Sequence, residues 1–457
     1  MLNNETLDIK NINTKKYHIK TWGCQMNVYD SQRIGEVLQS LNYSQSDSVS
    51  DSDIVILNTC HIREKATEKV YSDIGRLKVL KERRKSLGKD LIIAVSGCVA
   101  QAEGDEIIKR APVVDLVFGP QSWHKLKEML EKLNNNQKST ETDFSVEQKF
   151  DYLPEIFDKK RVQANSAFVT IQEGCDKFCT YCVVPYTRGA EYSRPVMQVV
   201  LEVKQLVKAG AKEITLLGQN VNAYHGLDIN QKEWSLGQLI RHLNEIDGLE
   251  RIRYTTSYPA EVDDDLISAH RDVPKLMPFL HLPVQSGSNR ILKLMNRRHT
   301  AEQYLEVVKK LKDANPKLVL SSDFIVGFPT ETEEDFEDTL SLVKKVGFIQ
   351  AYSFTYSMRP GTPATAMEQI PEDIKIKRLY ILQELLSKQQ REFNEKSVGK
   401  VMQVLLDRVG KEEGQLVGKS EYMQAVIVNN PKAKMGYIVN VKIIAGHQNS
   451  LQGELID

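Results

Sequence analysis

The chain has few cysteines, no long apolar segment and no excess of charge of either sign. Six of its 457 residues are cysteine, and none follows Cys182. Lys and Arg together number 61, as do Asp and Glu, so no overall basic field identifies a nucleic-acid partner, although a local basic patch remains compatible with that total. Because no apolar run is long enough to cross a bilayer and Met1–Lys16 is polar, the sequence predicts a cytoplasmic protein.

Apolar runs and helical patterns predict three domains. Residues 16–133 alternate short strands with helices, which indicates a doubly wound parallel α/β domain. The polar, Asn-rich residues 134–160 predict a linker. Residues 161–396 add six strand–helix units, typical of a partial (β/α)6 barrel that is short of the eight units of a closed one. Residues 397–457 alternate like antiparallel strands and predict a small β-barrel.

The boundaries of these elements follow from hydrophobic periodicity and turn residues. The strands expected in the first domain are Tyr17–Trp22, Ile54–Asn58, Leu91–Ser96 and Val113–Phe118. Those of the partial barrel are Ala167–Gln172, Glu213–Leu217, Arg251–Thr256, Phe279–Val284, Val319–Val326 and Phe348–Phe354. Those of the last domain are Val401–Asp407, Gln415–Val428, Gly436–Ile444 and Leu451–Ile456.

Three of the cysteines, Cys175, Cys179 and Cys182, follow directly after the first strand of the partial barrel. Thiolates at spacings of four and three residues can hold three irons of a 4Fe-4S cubane and leave the fourth without a protein ligand. An open coordination position is what chemistry on a metal requires. The alternative is a structural zinc site, which normally closes with four ligands, and no fourth Cys or His stands nearby.

This cysteine spacing resembles that of the radical S-adenosylmethionine superfamily, and the ends of later strands carry residues similar to its cofactor contacts. All lie where parallel barrels place their active sites, at the carboxyl ends of strands. Each of these turn sequences is common in proteins and is weak evidence alone. Their occurrence after successive strands is what favours a cofactor site. The residues that the resemblance implies as contacts of S-adenosylmethionine are Tyr181, Gly218, Gln219, Asn220, Ser257, Gln285, Ile325 and Gly327.

The other three cysteines, Cys24, Cys60 and Cys98, are far apart in sequence, yet each follows an apolar strand. Adjacent parallel strands bring their carboxyl ends to one crevice, so these thiols could hold a second cluster with one uncommitted iron. The alternative is three unrelated buried cysteines, since free Cys is among the most buried residue types. A reducing compartment disfavours disulfides.

With both cysteine sets, the chain resembles the methylthiotransferases over nearly its full length. That family joins an N-terminal auxiliary-cluster domain, a radical S-adenosylmethionine domain and a C-terminal TRAM domain. Residues 21–31 and 58–66 look like the MiaB-type branch, which acts on tRNA. The branch acting on a ribosomal protein typically has Pro-Lys-Asn after the first cysteine and the threonylcarbamoyladenosine branch has Lys-Val-Asn, whereas this chain has Gln25-Met26.

The resemblance implies that C2 of N6-(dimethylallyl)adenosine at position 37 of tRNA acquires a methylthio group. It implies two 4Fe-4S clusters, one bound by Cys24, Cys60 and Cys98 and one by Cys175, Cys179 and Cys182. One S-adenosylmethionine would give the radical and another the methyl group, with an unidentified electron donor and sulfur source. The rival hypotheses are a methylthiotransferase for threonylcarbamoyladenosine tRNA or a ribosomal-protein aspartate, and an RNA-binding protein with structural clusters.

An anticodon loop exposes its bases more readily than a duplex does, as base chemistry requires. The last domain resembles the TRAM module, an expected RNA contact, although its mixed charge also suits a plain structural barrel. The run Lys81–Lys85 could contact phosphate, but such runs are more often solvated helix ends. The lysines that favour RNA binding by the last domain are Lys400, Lys411, Lys419, Lys432, Lys434 and Lys442.

Overall fold

A computed structural model describes residues 14–60, 66–144, 146–151, 162, 165–429 and 434–456. The chain divides into two compact units, residues 1–157 and 158–457. No helix in the described ranges is long and apolar enough to span a membrane. The N-terminal residues 1–13, part of the motif at 58–66, and Lys432 lie outside the described residues.

The first unit is built on one parallel sheet with helices on both faces, as the sequence predicts. Its strands are in the order β2-β1-β3-β4-β5-β6, and every adjacent pair is parallel. The central strands β3 and β4 are apolar on both faces, the pattern of a strand covered on both sides. The strands are β1 Lys15–Thr21, β2 Tyr43–Gln45, β3 Ile54–Thr59, β4 Ile92–Gly97, β5 Leu116–Phe118 and β6 Ser139–Glu141.

The helices of this unit form two apolar layers against the sheet. Ile34 and Trp123 lie in the core on one face, and Val70 and Ile107 lie in the core on the other. The sequence predicts one helix over Ala102–Arg110, but the chain turns at Gly104, so two short helices replace it. The helices are α1 Gln25–Ser40, α2 Ala66–Ser86, α3 Cys98–Glu103, α4 Asp105–Arg110, α5 Leu126–Asn134 and α6 Val146–Asp151.

The expected linker, residues 134–160, is partly structured and so differs from the prediction. Ser139–Glu141 forms the edge strand β6, paired in parallel with β5. In α6, the Lys149 ammonium lies 3.0 Å from the Asp30 carboxylate of α1, and both side chains are buried. A polar composition concealed these elements, because an edge strand and a buried ion pair need no apolar pattern. Residues 152–161 lie outside the described part of the chain.

The second unit begins with two parallel three-stranded sheets that make up the partial barrel. Their orders are β13-β10-β7 and β14-β15-β16, and a parallel bridge between Ile252 and Leu276 lies between them. The prediction of six principal strands is confirmed, with β10 and β15 at their expected bounds. The principal strands are β7 Ser166–Thr170, β10 Glu213–Leu217, β13 Arg251–Thr255, β14 Phe279–His281, β15 Val319–Val326 and β16 Gln350–Thr355.

Short antiparallel pairs and eight helices of the described residues complete this part of the unit. Several helices begin with a Ser, Thr or Asp cap, for example Ser235 and Thr300. The side-chain oxygen of such a residue accepts a hydrogen bond from a backbone N–H group of the first turn, which has no partner within the helix. The short strands are β8 Gln172–Glu173, β9 Tyr192–Ser193, β11 Gly226–Leu227 and β12 Glu233–Trp234. The helices are α7 Val184–Arg188, α8 Val196–Lys208, α9 Leu236–Asn244, α10 Asp264–Asp272, α11 Asn289–Leu294, α12 Ala301–Ala314, α13 Glu333–Val346 and α14 Glu372–Glu395.

The C-terminal strands close into a five-stranded barrel of order β17-β18-β19-β21-β20. The expected single strand Gln415–Val428 is two strands, because Met423 adopts a left-handed conformation in the turn between them. An apolar core that includes Val404, Val426 and Ile443 fills the barrel. Its strands are β17 Val401–Val409, β18 Gln415–Ser420, β19 Ala425–Asn429, β20 Ile438–Gly446 and β21 Leu451–Leu455.

Two buried arginines of β13 join the partial barrel to the C-terminal barrel. Arg251 donates hydrogen bonds to the carbonyls of Gln403 and Lys419, at 2.9 and 3.2 Å. Arg253 donates to the carbonyls of Ser420 and Glu421, both at 3.0 Å. Glu213 of β10 lies 2.9 Å from the Arg253 guanidinium, and the two arginines hold the pKa of Glu213 below its ordinary value against the effect of burial.

Candidate functional site

In the first unit the three cysteines lie at the carboxyl ends of three adjacent strands. Cys24 precedes α1 just after β1, Cys60 follows β3, and Cys98 opens α3 after β4. The strands lie side by side, with Thr21 opposite Asn58 and Thr59 opposite Gly97. Cys60 and Cys98 are buried and Cys24 is exposed. The fold therefore places all three at one edge of the sheet, where parallel α/β sheets bind ligands.

Amide side chains connect the Cys24 turn to the end of β3. The Asn27 side-chain oxygen accepts a hydrogen bond from the Cys24 amide at 3.3 Å. Asn58 donates to the Asn27 carbonyl at 2.9 Å and to the Ser31 hydroxyl at 2.8 Å. A side chain at Gly23 would lie 2.6 Å from Cβ of Cys60, so the two cysteine segments are in direct contact. Asn27 and Asn58 position the thiols and were not among the predicted site residues.

In the second unit Cys175, Cys179 and Cys182 occupy one loop between β8 and α7. The end of α11 and the segment after it hold this loop in place. The Thr180 hydroxyl donates to the Leu294 carbonyl at 2.8 Å, and the Asn296 side-chain amide donates to the carbonyls of Lys177 and Phe178 at 3.1 and 3.0 Å. Phe178 adopts a left-handed conformation. Hydrogen bonds from side chains to main-chain carbonyls therefore fix the loop.

Burial of these thiols affects their protonation, and two cations act on them. Burial raises the pKa of Cys175 to about 11 and that of Cys182 to about 12, so both are protonated at neutral pH and would release protons on binding metal. Lys177 acts on Cys175, and the partly buried Arg297 guanidinium lies 3.8 Å from the Cys179 sulfur and 4.3 Å from the centre of the Tyr258 ring. Arg297 can stabilise thiolate charge, and the sequence pattern did not identify it.

The donors in each cysteine set are three thiols, the ligands that iron–sulfur clusters take. A structural zinc site normally closes with four ligands around one ion. Among the described residues no group of three or more His, Cys, Asp or Glu side chains is arranged to hold a metal ion. The binding of a cluster by each set stays a prediction.

Two of the predicted contacts for S-adenosylmethionine have buried polar atoms without a hydrogen-bond partner among the described residues. Asn220 follows β10 and Ser257 follows β13, at strand ends of the same half-sheet. Both are buried, and neither the Asn220 side-chain oxygen nor the Ser257 hydroxyl has a hydrogen-bond partner within the described ranges. Because buried polar groups are nearly always paired, these atoms fit a polar ligand such as the methionine end of S-adenosylmethionine.

The remaining predicted contacts have structural partners, and their cofactor roles stay predictions. The Gln219 side-chain oxygen accepts a hydrogen bond from the Gly174 amide at 2.6 Å, which connects β10 to the cysteine loop. Gln285 adopts a positive φ of 76°. At Gly327 φ is +66° and a Cβ would collide with Lys375, so the turn itself requires glycine. Gly218 lies against the Gln172 side chain, while Ile325 and Tyr181 pack in one apolar cluster.

A group of charged residues between the cysteine loop and Asn220 also went unpredicted. Glu261 pairs with Lys177 and accepts a hydrogen bond from the Asn220 amide at 2.5 Å. Burial raises the pKa of the nearby Glu191 to about 7. Glu261 lies six residues beyond the end of β13, and extending the strand-end rule into the following loop would have identified it.

Two of the four cations in the basic run Lys81–Lys85 are structural, and Arg83 and Lys85 are exposed. Lys81 forms an ion pair with Asp115 at 2.5 Å, and Arg84 is buried against Asp53 at 2.9 Å. Neither cation is free to contact phosphate without breaking a native pair. In the C-terminal barrel Lys419 lies 3.7 Å from Asp407.

Three family models match successive parts of the chain, one in the first compact unit and two in the second. Residues 16–119 match the uncharacterized protein family UPF0004, residues 169–343 match the Radical SAM superfamily, and residues 395–456 match the TRAM domain. This order of domains fits the architecture of the methylthiotransferases. The Radical SAM match implies a 4Fe-4S cluster and S-adenosylmethionine, and the TRAM match suggests RNA as a partner.

Solved structures of low sequence identity share the fold. The radical S-adenosylmethionine methyltransferase TsrM from Kitasatospora setae aligns with a TM-score of 0.56 at 11% identity, over 77% of this chain and 74% of that one. The cobalamin-dependent S-adenosylmethionine radical enzyme OxsB aligns with a TM-score of 0.51 at 11% identity, over 82% of this chain. The chain spans 56% of the length of OxsB. The predicted fold class is confirmed.

Proposed function

We propose that this chain, with the domain architecture of a methylthiotransferase, is a MiaB-type enzyme that acts on tRNA. Its substrate would be N6-(dimethylallyl)adenosine at position 37, in which a methylthio group replaces the hydrogen on C2. The observation that carries the proposal is the second thiol set at the carboxyl edge of the first sheet. A radical enzyme needs only the Cys175, Cys179 and Cys182 set to cleave S-adenosylmethionine, so Cys24, Cys60 and Cys98 call for a second task.

In this proposal the residues of each site have separate roles. Cys175, Cys179 and Cys182 hold the cluster that, with bound S-adenosylmethionine, supplies a primary carbon radical, and Cys24, Cys60 and Cys98 hold an auxiliary cluster for the transferred sulfur. Arg297 stabilises the charge on the Cys179 sulfur, a contact that also orients the ligand. Asn220 and Ser257 orient the cofactor through the polar atoms that lack protein partners.

The C2–H bond of adenine offers no acidic proton for a general base, so a carbon radical is a suitable reagent for this position. The base must also leave its stack to be reached, and an anticodon loop allows this at lower cost than a duplex. The C-terminal barrel would contact the RNA through backbone phosphates, as its TRAM match suggests. The partner is therefore an anticodon stem-loop that carries the isopentenylated base.

Anaerobic turnover of the reconstituted protein tests the proposal. The substrates are an isopentenylated anticodon stem-loop, a stem-loop with threonylcarbamoyladenosine, and a ribosomal protein with a target aspartate. Nucleoside and peptide mass spectrometry should find the methylthio group on the isopentenylated base. A methylthio group on either other substrate would reassign the enzyme within the family. Failure to release deoxyadenosine under reductant would favour an RNA-binding protein with structural clusters.

A further inference from the structure

Strand β15 has one face buried against helices and another that carries an acidic group. Ser322, Phe324 and Val326 are fully buried, and the Phe324 ring packs edge-on against Phe348, with the ring centres 5.4 Å apart. Because side chains alternate along a strand, Asp323 and Ile325 lie on the opposite face. Both are only partly buried. This second face is therefore accessible near the carboxyl end of β15.

Two aromatic side chains of the edge strand extend this face. Tyr352 is the register partner of Asp323, and Phe354 is the partner of Ile325. Their exposed fractions are 49% and 53%, unusually high for large rings in a sheet against which α14 packs. Two half-exposed rings in neighbouring register provide a flat apolar surface of the kind that contacts a base.

Asp323 carries hydrogen-bonding capacity that the protein does not use. Its side chain is 29% exposed, and among the described residues none donates a hydrogen bond to its carboxylate. The His281 ring nitrogen Nε2 lies 3.6 Å away, beyond hydrogen-bond distance, while Nδ1 lies 3.0 Å from the Ser321 hydroxyl. The Asp323 carboxylate is partly exposed and is not among the buried atoms that lack a partner, so solvent reaches it. A ligand N–H group could take the place of that solvent.

This surface lies near the cysteine loop. Ile325 shares an apolar cluster with Tyr181, which stands between Cys179 and Cys182 in sequence. Asp323 precedes Ile325 by two residues, or about 7 Å along the strand. The ring centres of His281 and Tyr352 are 6.3 Å apart. We name the group formed by His281, Asp323, Tyr352 and Phe354 the lumen wall.

We propose that the lumen wall recognises the target base of the RNA, an inference that rests on the proposed function. Asp323 would accept a hydrogen bond from the N–H at position 6 of an adenine-type base, and His281 would donate to an adjacent ring nitrogen. Tyr352 and Phe354 would contact the base plane and its alkyl substituent. A base with a carbonyl oxygen at position 6 would place an acceptor against the carboxylate and be rejected.

The test combines a protein change with a substrate change. Wild-type holoprotein and Asp323→Ala, which has no side-chain acceptor, are titrated with two stem-loops, one with N6-isopentenyladenosine and one whose N6 also carries a methyl group and has no N–H. We expect the wild type to bind the N–H stem-loop about 10-fold to 100-fold more tightly. In Asp323→Ala this ratio should fall close to one. An unchanged ratio in the variant would mean that the methyl group only adds bulk, and would overturn the proposal.

Controls separate recognition from folding and from cofactor binding. Asp313→Ala makes the same chemical change on the exposed side of α12 and should retain the wild-type ratio. Iron content and thermal melting report whether Asp323→Ala folds. S-adenosylmethionine carries the same base, so its KM is measured without RNA. A raised KM for S-adenosylmethionine with unchanged RNA discrimination would assign the lumen wall to the cofactor and overturn the proposal.

The binding measurement is independent of turnover, which distinguishes the two proposals. If the wild type discriminates between the stem-loops but forms no methylthio product, the proposed function fails and the lumen wall stands. If it forms the product without discriminating, the proposed function stands and the lumen wall fails.

Discussion

The two cysteine sets each contain three thiols, but they differ in how the chain brings those thiols together. Cys175, Cys179 and Cys182 lie in one loop, and their spacing in sequence brings them together, while side-chain hydrogen bonds with the end of α11 and the segment after it hold the loop. Cys24, Cys60 and Cys98 come from three strands, so the register of a sheet fixes theirs. The first set can therefore be recognised from spacing alone. The thiols of the second set come together only when the sheet forms. A substitution that shifts the register of the sheet should therefore impair the second set more than the first.

The largest expected effect comes from removing one thiol of each set. Cys179→Ala should reduce deoxyadenosine release from S-adenosylmethionine to background, because the cluster loses one of its three ligands. Cys60→Ala should still release deoxyadenosine but form no methylthio product. Both are measured anaerobically after reconstitution, by chromatography of deoxyadenosine and mass spectrometry of nucleosides. Fully methylthiolated product from Cys60→Ala would contradict the division of labour between the sets.

A smaller effect is expected from glycines beside each set. At Gly97 φ is +88° and a Cβ would collide with the Thr59 carbonyl, so Gly97→Ala should destabilise the first unit by about 3 kcal/mol. It should also cost about half of the bound iron, because Cys98 is adjacent. At Gly174 φ is +77° and a Cβ would collide with the Ala190 carbonyl, so Gly174→Ala should instead impair deoxyadenosine release.

Gly88→Ala is the matched control for these changes. Gly88 also has a positive φ, +71°, but a Cβ there would meet nothing within 4 Å. It should cost about 1 kcal/mol and leave the iron content intact. Chemical denaturation and iron analysis measure both quantities. Equal iron loss in Gly88→Ala and Gly97→Ala would show that the register of the sheet does not govern the second set.

The smallest effect is a difference in acid stability. Burial lowers the pKa of His270 in the second unit to about 4, and its ring lies 2.6 Å from the Tyr254 hydroxyl. The unfolded chain binds a proton near pH 6.5 and the folded chain does so only near pH 4. The free energy of unfolding should therefore fall by up to about 3 kcal/mol as the pH drops through this range.

Hydrogen exchange resolved by peptide can assign this loss to the second unit. His270→Gln removes the titrating ring but keeps a polar partner for Tyr254, and should reduce the pH dependence of unfolding between pH 6.5 and 4. Part of the dependence should remain, because burial also lowers the pKa of His299 in the same unit, to about 3. An unchanged slope in that variant would show that other groups govern the acid lability of the unit.

The sequence predicted what depends on local pattern and missed what depends on pairs of distant residues. Strands such as β10 and β15 were recognised at their bounds because apolar runs mark them. The edge strand β6 and the buried pair of Lys149 with Asp30 were missed, because polar residues give no periodic signal when their partners are unknown. Arg297 was missed for the same reason, since its role arises only from its contacts with Cys179 and Tyr258. Glu261 was missed because the search for site residues stopped at the end of β13.

The arginine junction has a consequence for how the protein can diverge. Arg251 and Arg253 donate hydrogen bonds to main-chain carbonyls of the C-terminal barrel. Every amino acid has a main-chain carbonyl, so these bonds do not depend on the side chains of the accepting residues. Substitutions at Gln403, Lys419 or Glu421 thus leave the anchoring oxygens in place. The outer surface of that barrel can therefore change during evolution to suit different ligands without loss of these hydrogen bonds to the partial barrel. Substitution of either arginine would remove its bonds.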